Sequence, residues 1–319
     1  MNILGIDLGG THTRHIMRDT TAALNPPPGK QINKEFNHSD ALLRHVLDVQ
    51  PQMPDVLSIA VAGPIKTQGD TQVCELTNLP WRLDSSEIAK RFGIKRVLLL
   101  NDFAALAYAL ACPERLNRVA LWPGIPDPKA PRLVLGPGTG LGAAIVVSTP
   151  PTLQVIATEA GHCDFAPTSD EDLRLWHFLK KNHLPFGWES LVSGPGLERI
   201  YTFLDPTTAT AVSTASLVDQ ALKQPGLARA ALDLMLRLLG NFARNLSLAC
   251  LPRGGIYLAG GLLPRLFPQY GMTQFLEACH QQTAHHALIR SIPIELIQDD
   301  HAGALGAIEY ACQELTTQH

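Results

Sequence analysis

The opening run MNILGIDLGGTHTR sets a carboxylate, Asp7, just ahead of Gly9, Gly10, Thr11, His12 and Thr13. Glycine N–H groups can approach an oxyanion closely because no Cβ intervenes, and threonine hydroxyls add donors. A carboxylate among those donors would repel a bare phosphate, so the set makes sense with a cation between them, as when Mg²⁺ is held by one carboxylate and nucleotide phosphates. The competing reading is an ordinary hairpin with a Gly-Gly turn. Two further sets carry chemistry. Asn101-Asp102 closes the apolar run VLLL and offers a carboxylate that a rigid strand end could hold as a proton acceptor. Taken alone, that pair reads more readily as a helix cap. Glu159 and His162 stand three apart around Gly161, where a bend aims both at one small, hydroxyl-rich ligand. His162-Cys163-Asp164 also resembles a metal site in composition, but adjacent residues rarely converge on one ion and no fourth ligand is evident.

These residues need elements to position them. Ile3, Leu4 and Ile6 form a buried strand before the Gly-Gly turn, and His15-Ile16-Met17 is the return strand. Residues 38–50 place Leu42, Leu43, Val46 and Leu47 on one helical face, with Ser39 or Asp40 as cap. A strand over 56–62, a short connection carrying Glu75 to Trp81, a helix over 84–92 and a strand over 96–100 complete an α/β alternation. Residues 103–111 read as a buried connecting helix. The pattern of the opening then recurs: Leu133-Val134-Leu135, the glycine run 136–142, and Ala144 to Val147 repeat strand, glycine turn with threonine, strand. Such a repeat implies two related domains facing one ligand. Further on lie a strand ending at Thr158, a short helix over 197–204, a long amphipathic helix over 226–250, the strand Ile256 to Leu258 running into Gly260-Gly261, and a small-residue helix after Asp299.

The motifs exclude several nucleotide chemistries. There is no G-x-x-x-x-G-K-[ST] string and no protein-kinase signature. Gly138 to Ala143 matches a dinucleotide fingerprint, but that fingerprint opens a helix, whereas the β-branched run after Gly142 favours a strand. A formal net charge of −3 argues against nucleic acid as the main partner. No apolar run approaches the ~18 residues of a membrane span, and the first residues lack the basic leader of a signal peptide. Six cysteines without a C-x-x-C pair fit a reducing cytoplasm and give no support for structural zinc.

DLGGTHTR, LLLNDFAAL, LGPGTGLG, EAGHCDFAP, ESLVSGPGL and YLAGGLLPR occur in one order between residue 3 and about residue 306, and together they resemble the bacterial glucokinase family of the actin–hexokinase–Hsp70 superfamily. The resemblance implies an α/β fold of two ribonuclease-H-like (actin-like ATPase) domains with an interdomain cleft that closes on sugar. The smaller comprises 1–110 with 301–319 and the larger 111–300. It implies ATP-dependent phosphorylation of glucose at the 6-hydroxyl, feeding glycolysis, with Asp102 as the base. Asn78, Asn101, Asp102, Glu159, His162 and Glu189 would bind the sugar, with Trp81 near it. Asp7, Gly9, Gly10, Thr11 and Thr13 would serve ATP phosphates, Asp7 meeting Mg²⁺ indirectly. Gly138, Thr139 and Gly140 would grip the phosphates from the other domain, and Gly260 and Gly261 would border the adenosine. A cytoplasmic homodimer is implied as well. The cysteine-rich zinc motif of the related repressor–kinase group is missing, since only Cys163 lies in that region. A kinase for another hexose or amino sugar, and a silent sugar sensor, stay open as alternatives. A chaperone-type ATPase would have no use for Glu159, His162 and Glu189.

Overall fold

In a computed structural model of the chain, the described residues are 1–19, 26–77, 79–149, 152–207, 212–282 and 284–316. The chain divides into two compact units, Met1–Asn117 with Thr149–Val155 and Asp299–His319, and Arg118–Ser148 with Ile156–Gln298.

The first unit contains β1 (Asn2–Leu8), β2 (His12–Asp19), β3 (Gly29–Ile32), α1 (Ser39–Asp48), β4 (Val56–Val61), β5 (Ile65–Gln68), β6 (Thr71–Glu75), β7 (Arg82–Asp84), α2 (Ser85–Phe92), β8 (Arg96–Asn101) and α3 (Asp102–Tyr108). Its main sheet runs β3-β2-β1-β4-β8. β1, β4 and β8 are parallel, and β2 and β3 fold back antiparallel beside β1. β4 is buried at every position, as a central parallel strand covered on both faces must be. The C-terminal helix, Ala302–Thr316, lies close because its residues are small: a Cβ on Gly5 would overlap the Ala304 carbonyl, and one on Gly306 the Ala105 carbonyl. Capping follows local chemistry. Asp84 accepts from the Ser86 and Glu87 amides at the start of α2, and Gly93 closes that helix at φ 69°. α1 departs from expectation, since its cap is His38, whose Nδ1 accepts from the Ala41 amide, and not Ser39 or Asp40. The connection expected around Glu75 is a three-stranded sheet, β5-β6-β7. The helix expected over 103–111 stops at Tyr108 and ends in a 3-10 turn.

The second unit contains β9 (Arg118–Trp122), β10 (Arg132–Pro137), β11 (Leu141–Thr149), β12 (Thr152–Thr158), α4 (Asp170–Lys181), α5 (Gly194–Leu204), α6 (Thr214–Lys223), α7 (Leu227–Cys250), β13 (Ile256–Leu258), α8 (Leu263–Tyr270), α9 (Thr273–Cys279), α10 (His286–Ser291) and β14 (Ile294–Ile297). Its sheet runs β12-β11-β10-β13-β14-β9. The first five strands repeat the first unit's order, with an antiparallel hairpin on one side of β10 and parallel strands on the other. The repeat read from the two glycine turns is thus a repeat of sheet topology. The core gathers on α7, where Leu238, Leu239 and Phe242 are buried with Leu197, Trp188 and Phe275. Asp172, fully buried at the start of α4, is held by Arg237 of α7 at 2.6 Å and by Thr168.

Each unit carries a histidine that burial keeps neutral. His15 of β2 is pushed down to about 4 by burial first, with His301 and His45 adding repulsion. His280, packed on Trp122 at 4.3 Å, is pushed down to about 4 by burial, then by Arg290 and His286. A histidine whose folded pKa lies below its unfolded value of 6.5 destabilises the fold as pH falls between 6.5 and about 4, because the unfolded chain takes the proton first. We expect the thermal midpoint to drop steeply over that window, and His15→Gln to flatten the slope.

Candidate active site

In the first unit the candidate residues gather at the carboxyl ends of the parallel strands, where open α/β sheets bind ligands. Asp7 is the penultimate residue of β1, level with Ala60 of β4, which is level with Leu100 of β8. Asn101 ends β8 and Asp102 opens α3. β1 and β8 are two strand spacings apart, on the order of 10 Å. Asn101 is the helix cap: its Oδ1 accepts from the Phe103 amide at 3.0 Å and the Ala104 amide at 3.2 Å. The Asn101 side chain also hydrogen-bonds the Asp102 carboxyl. Asp102 also accepts from the Phe103 amide, at 2.9 Å. Burial outweighs these donors and pushes its carboxyl above the usual range. Cap and candidate base are therefore compatible.

The Asp7 carboxyl is pushed up to about 6, by burial first, with Arg14 opposing and Asp102 and Asp300 adding to the rise. It accepts no hydrogen bond among the described residues. Gly303, in the first turn of the C-terminal helix, lies so near that a Cβ there would sit 2.8 Å from the Asp7 Cγ. A carboxylate this poorly compensated suits a cation. Beyond Asp7 the turn is closed by the Gly9 amide donating to the His12 carbonyl at 3.1 Å, and Thr11 is exposed at its tip. Thr13 is a correction. It is fully buried and donates its hydroxyl to Asn33 Oδ1 at 2.8 Å, while Asn33 Nδ2 donates to the Gly9 carbonyl at 2.7 Å. Thr13 and Asn33 together brace the turn from beneath. Asn33 carried no periodic or motif signal, and only its position in the fold reveals it. Trp81 is buried, with its carbonyl accepting from the Leu76 amide. Asn78 lies outside the described residues.

In the second unit the β10–β11 strands run farther than expected, leaving a turn of only Gly138-Thr139-Gly140. The Gly138 amide donates to the Gly140 carbonyl, and the Gly194 amide of α5 donates to the Gly138 carbonyl, both at 2.8 Å. Thr139 is exposed at the tip, as Thr11 is in the first turn. Glu189, in a 3-10 turn, accepts from the Leu141 amide at 2.9 Å through Oε2. One of its oxygens is thereby spoken for and the other left for a ligand. Ser193 caps α5, accepting from the Gly196 amide and donating to the Glu189 carbonyl. The Glu159–His162 segment is a second 3-10 turn, fixed by the Trp188 amide donating to the Cys163 carbonyl and the Phe165 amide to the Phe186 carbonyl. Glu159 Oε2 lies 3.8 Å from His162 Nε2, and both side chains are largely exposed. His162, Glu189, Thr139, Ser193 and Arg199 line one cavity of about 210 Å³. Gly260 adopts φ 91° with its Cβ position against the Pro137 carbonyl, so a side chain is barred there, and Gly261 faces open space. No group of His, Cys, Asp and Glu among the described residues could hold a metal by itself, and no helix among them is long and apolar enough to cross a membrane.

A family model described as Glucokinase matches residues 4–314. The chain is similar to the glucokinase of Mesorhizobium japonicum, with 31% identity over 96% of this chain and 90% of that one. Among solved structures it superposes on a glucokinase from an Antarctic psychrotroph with a TM-score of 0.82 and 30% identity, covering 98% of this chain and 99% of that one. A Balamuthia mandrillaris glucokinase crystallised with glucose shares the fold at a TM-score of 0.78 and 23% identity, covering 97% and 92%.

Proposed function

The chain belongs to the glucokinase family, and we propose that it moves the γ-phosphoryl group of ATP to the 6-hydroxyl of glucose with Asp102 as the base. The observation that carries this is the setting of Asp102. It stands at the end of a buried parallel strand, in the first turn of a helix capped by its neighbour, with its carboxyl raised by burial. Phosphoryl transfer leaves the protein mainly positioning and charge stabilisation to supply, plus a group to take the nucleophile's proton. Asp102 accepts the proton of the 6-hydroxyl as that oxygen attacks, and Asn101 keeps it from swinging away. Glu159, His162 and the free oxygen of Glu189 bind sugar hydroxyls, each of which can donate and accept. The amides at Gly10 and Thr11, and those at Thr139 and Gly140, donate to phosphate oxygens, while the Gly9 and Gly138 amides close the turns that present them. Gly260 and Gly261 let the adenosine lie against backbone.

Asp7 would hold Mg²⁺ through water, and the ion, when bound, offsets negative charge on the phosphates. Two ribonuclease-H-like domains, the first of 1–110 with 301–319 and the second of 111–300, belong to the same proposal. Their matching strand order supports it. A cytoplasmic location and a homodimeric state are proposed as well, on family resemblance.

The test is ADP release from Mg·ATP across a panel of glucose, mannose, fructose and N-acetylated amino sugars. Turnover strongest with glucose supports the reading; sugar binding without ADP release would sink it. A sharper expectation concerns Gly140, whose Cβ position lies 2.5 Å from Glu189 Oε2. Gly140→Ala displaces that carboxylate from the Leu141 amide. KM for glucose should rise roughly tenfold, as expected for losing one charged hydrogen bond, while KM for ATP moves less.

A further inference from the structure

The cavity of the second unit holds a charge that the reaction so far leaves without a task. Arg199 lines it together with His162, Glu189 and Thr139. It stands on α5 four residues after Pro195, which lines the same cavity, so the two share one helix face. Leu197 and Ile200 of the same helix are fully buried in the core, whereas Arg199 is half-buried. Its Nη1 donates to the Ser190 carbonyl at 3.0 Å, which holds the guanidinium beside the 3-10 turn that carries Glu189. Among the described residues no carboxylate pairs with it, Glu189 included. The neighbouring Glu198 is taken by Thr214, whose amide and hydroxyl each donate to its Oε1 at 2.7 Å. A half-buried cation without a counter-charge is a cost to folding, so a ligand is the better reason for it.

We propose that Arg199 sets sugar specificity: it donates to the oxygen of one ring hydroxyl and, by its charge, turns away amino sugars that carry an ammonium group. A guanidinium has donors only, so the oxygen it meets must accept, whereas a carboxylate oxygen of Glu189 takes a hydroxyl's proton. A sugar hydroxyl can do both at once, and in such a chain each bond polarises the next. One cation and one carboxylate on the wall, unpaired with each other, therefore suit a neutral ligand rich in hydroxyls. An ammonium in place of a hydroxyl can still donate to Glu189, but it offers Arg199 no acceptor and meets it as a like charge. The planar fork, fixed at one end on the Ser190 carbonyl, has less freedom to lose on binding than an ammonium on a flexible stem.

This role rests on the sugar-kinase reading, and affinity measured without nucleotide keeps the two apart. Arg199→Met and Arg199→Lys are compared with the wild type on glucose, its 1-, 2-, 3- and 4-deoxy analogues, and glucosamine. Both kcat/KM and calorimetric binding of the sugar alone are measured. Arg199→Met should weaken glucose binding about tenfold or more, the scale of one hydrogen bond to a charged group. KM for ATP should stay within about twofold, and the melting temperature should shift by only a few degrees. The deoxy analogue that lacks the hydroxyl facing Arg199 should bind the wild type about tenfold more weakly than glucose, yet bind Arg199→Met as well as glucose does. Losses at the other ring positions should simply add to that of the variant. The wild type's preference for glucose over glucosamine should shrink about tenfold in Arg199→Met and persist in Arg199→Lys, which keeps the charge. Additive losses at all four positions would overturn the proposal. So would an unchanged preference over glucosamine in Arg199→Met, since a residue that only steadies the Glu189 turn leaves no signature of charge. If Arg199→Met does not fold, Arg199→Gln takes its place in each comparison. A wild type that binds glucose but never phosphorylates it overturns the kinase reading, while the affinities still judge Arg199.

Discussion

Asp102→Asn is expected to lower kcat for glucose phosphorylation by about two to four orders of magnitude, the range general-base catalysis contributes. Glucose and nucleotide affinity should be largely retained. Asparagine keeps the shape and can still accept the Phe103 amide that Asp102 Oδ1 accepts at 2.9 Å, so the start of α3 survives. What is lost is the ability to take a proton. The pH profile offers a second reading of the same residue. Burial, the largest influence, raises the Asp102 carboxyl, and the hydrogen bonds from Phe103 and Asn101 only partly offset it. A base must be ionised to work, so the rate should rise with pH through a value above the ordinary carboxylate range. Asn101→Ala should move that limb and also cost about 1 kcal/mol of stability through the lost cap. Steady-state kinetics of the variants between pH 5 and 9, with glucose binding followed separately, checks all of this. A variant that keeps wild-type kcat would remove Asp102 from the chemistry.

Much of the site was legible because glycine-rich turns are legible. Gly9-Gly10 and Gly138-Thr139-Gly140 can only be tight turns, and apolar runs on both sides make them hairpins. Their repetition implied two related halves, and the two sheets share the order of five strands. Asn101-Asp102 was equally visible, and the cap that Asn101 forms is compatible with the proposed role of Asp102 as base. Properties that depend on depth were not legible. Thr13 and Thr11 look alike in the string, yet Thr13 sits at a buried position of β2 and braces the turn, while Thr11 lies in the turn before that strand and is exposed. Asn33 acts on a turn far away in sequence, through the Gly9 carbonyl and the Thr13 hydroxyl, and no local pattern encodes such partners. The β5-β6-β7 sheet escaped because its strands are only three to five residues long and mix buried, half-buried and exposed positions, too short for an apolar alternation to register. The cap of α1 escaped because a histidine does a task more often given to serine or aspartate.

Asp7→Asn should separate stability from function in opposite directions. Near pH 8, with nucleotide and divalent cations removed, the wild type must keep a buried carboxylate ionised although its pKa has risen to about 6. The sign follows from linkage. A carboxyl that binds its proton more tightly when folded adds stability below its unfolded pKa of 3.8, and this is lost as pH climbs through about 6. Above that, the charge is a net burden, on the order of 1–3 kcal/mol at 1.36 kcal/mol per unit. Asparagine has nothing to ionise, so the variant should melt several degrees higher than the wild type at pH 8, with the difference vanishing near pH 4. Its turnover with Mg·ATP should nevertheless fall at least about a hundredfold, because the anchor for the cation on the phosphates is gone. Adding Mg²⁺ and nucleotide should stabilise the wild type markedly and the variant little. Calorimetric melting at the two pH values, with and without Mg²⁺ and nucleotide, reads out each arm. A variant less stable than the wild type in cation-free buffer at pH 8 would mean that Asp7 is held by the fold for the fold's own sake. A more stable, inactive variant would mean that the fold tolerates Asp7 for the sake of the nucleotide, as expected of a site whose charge is compensated only when its substrate arrives.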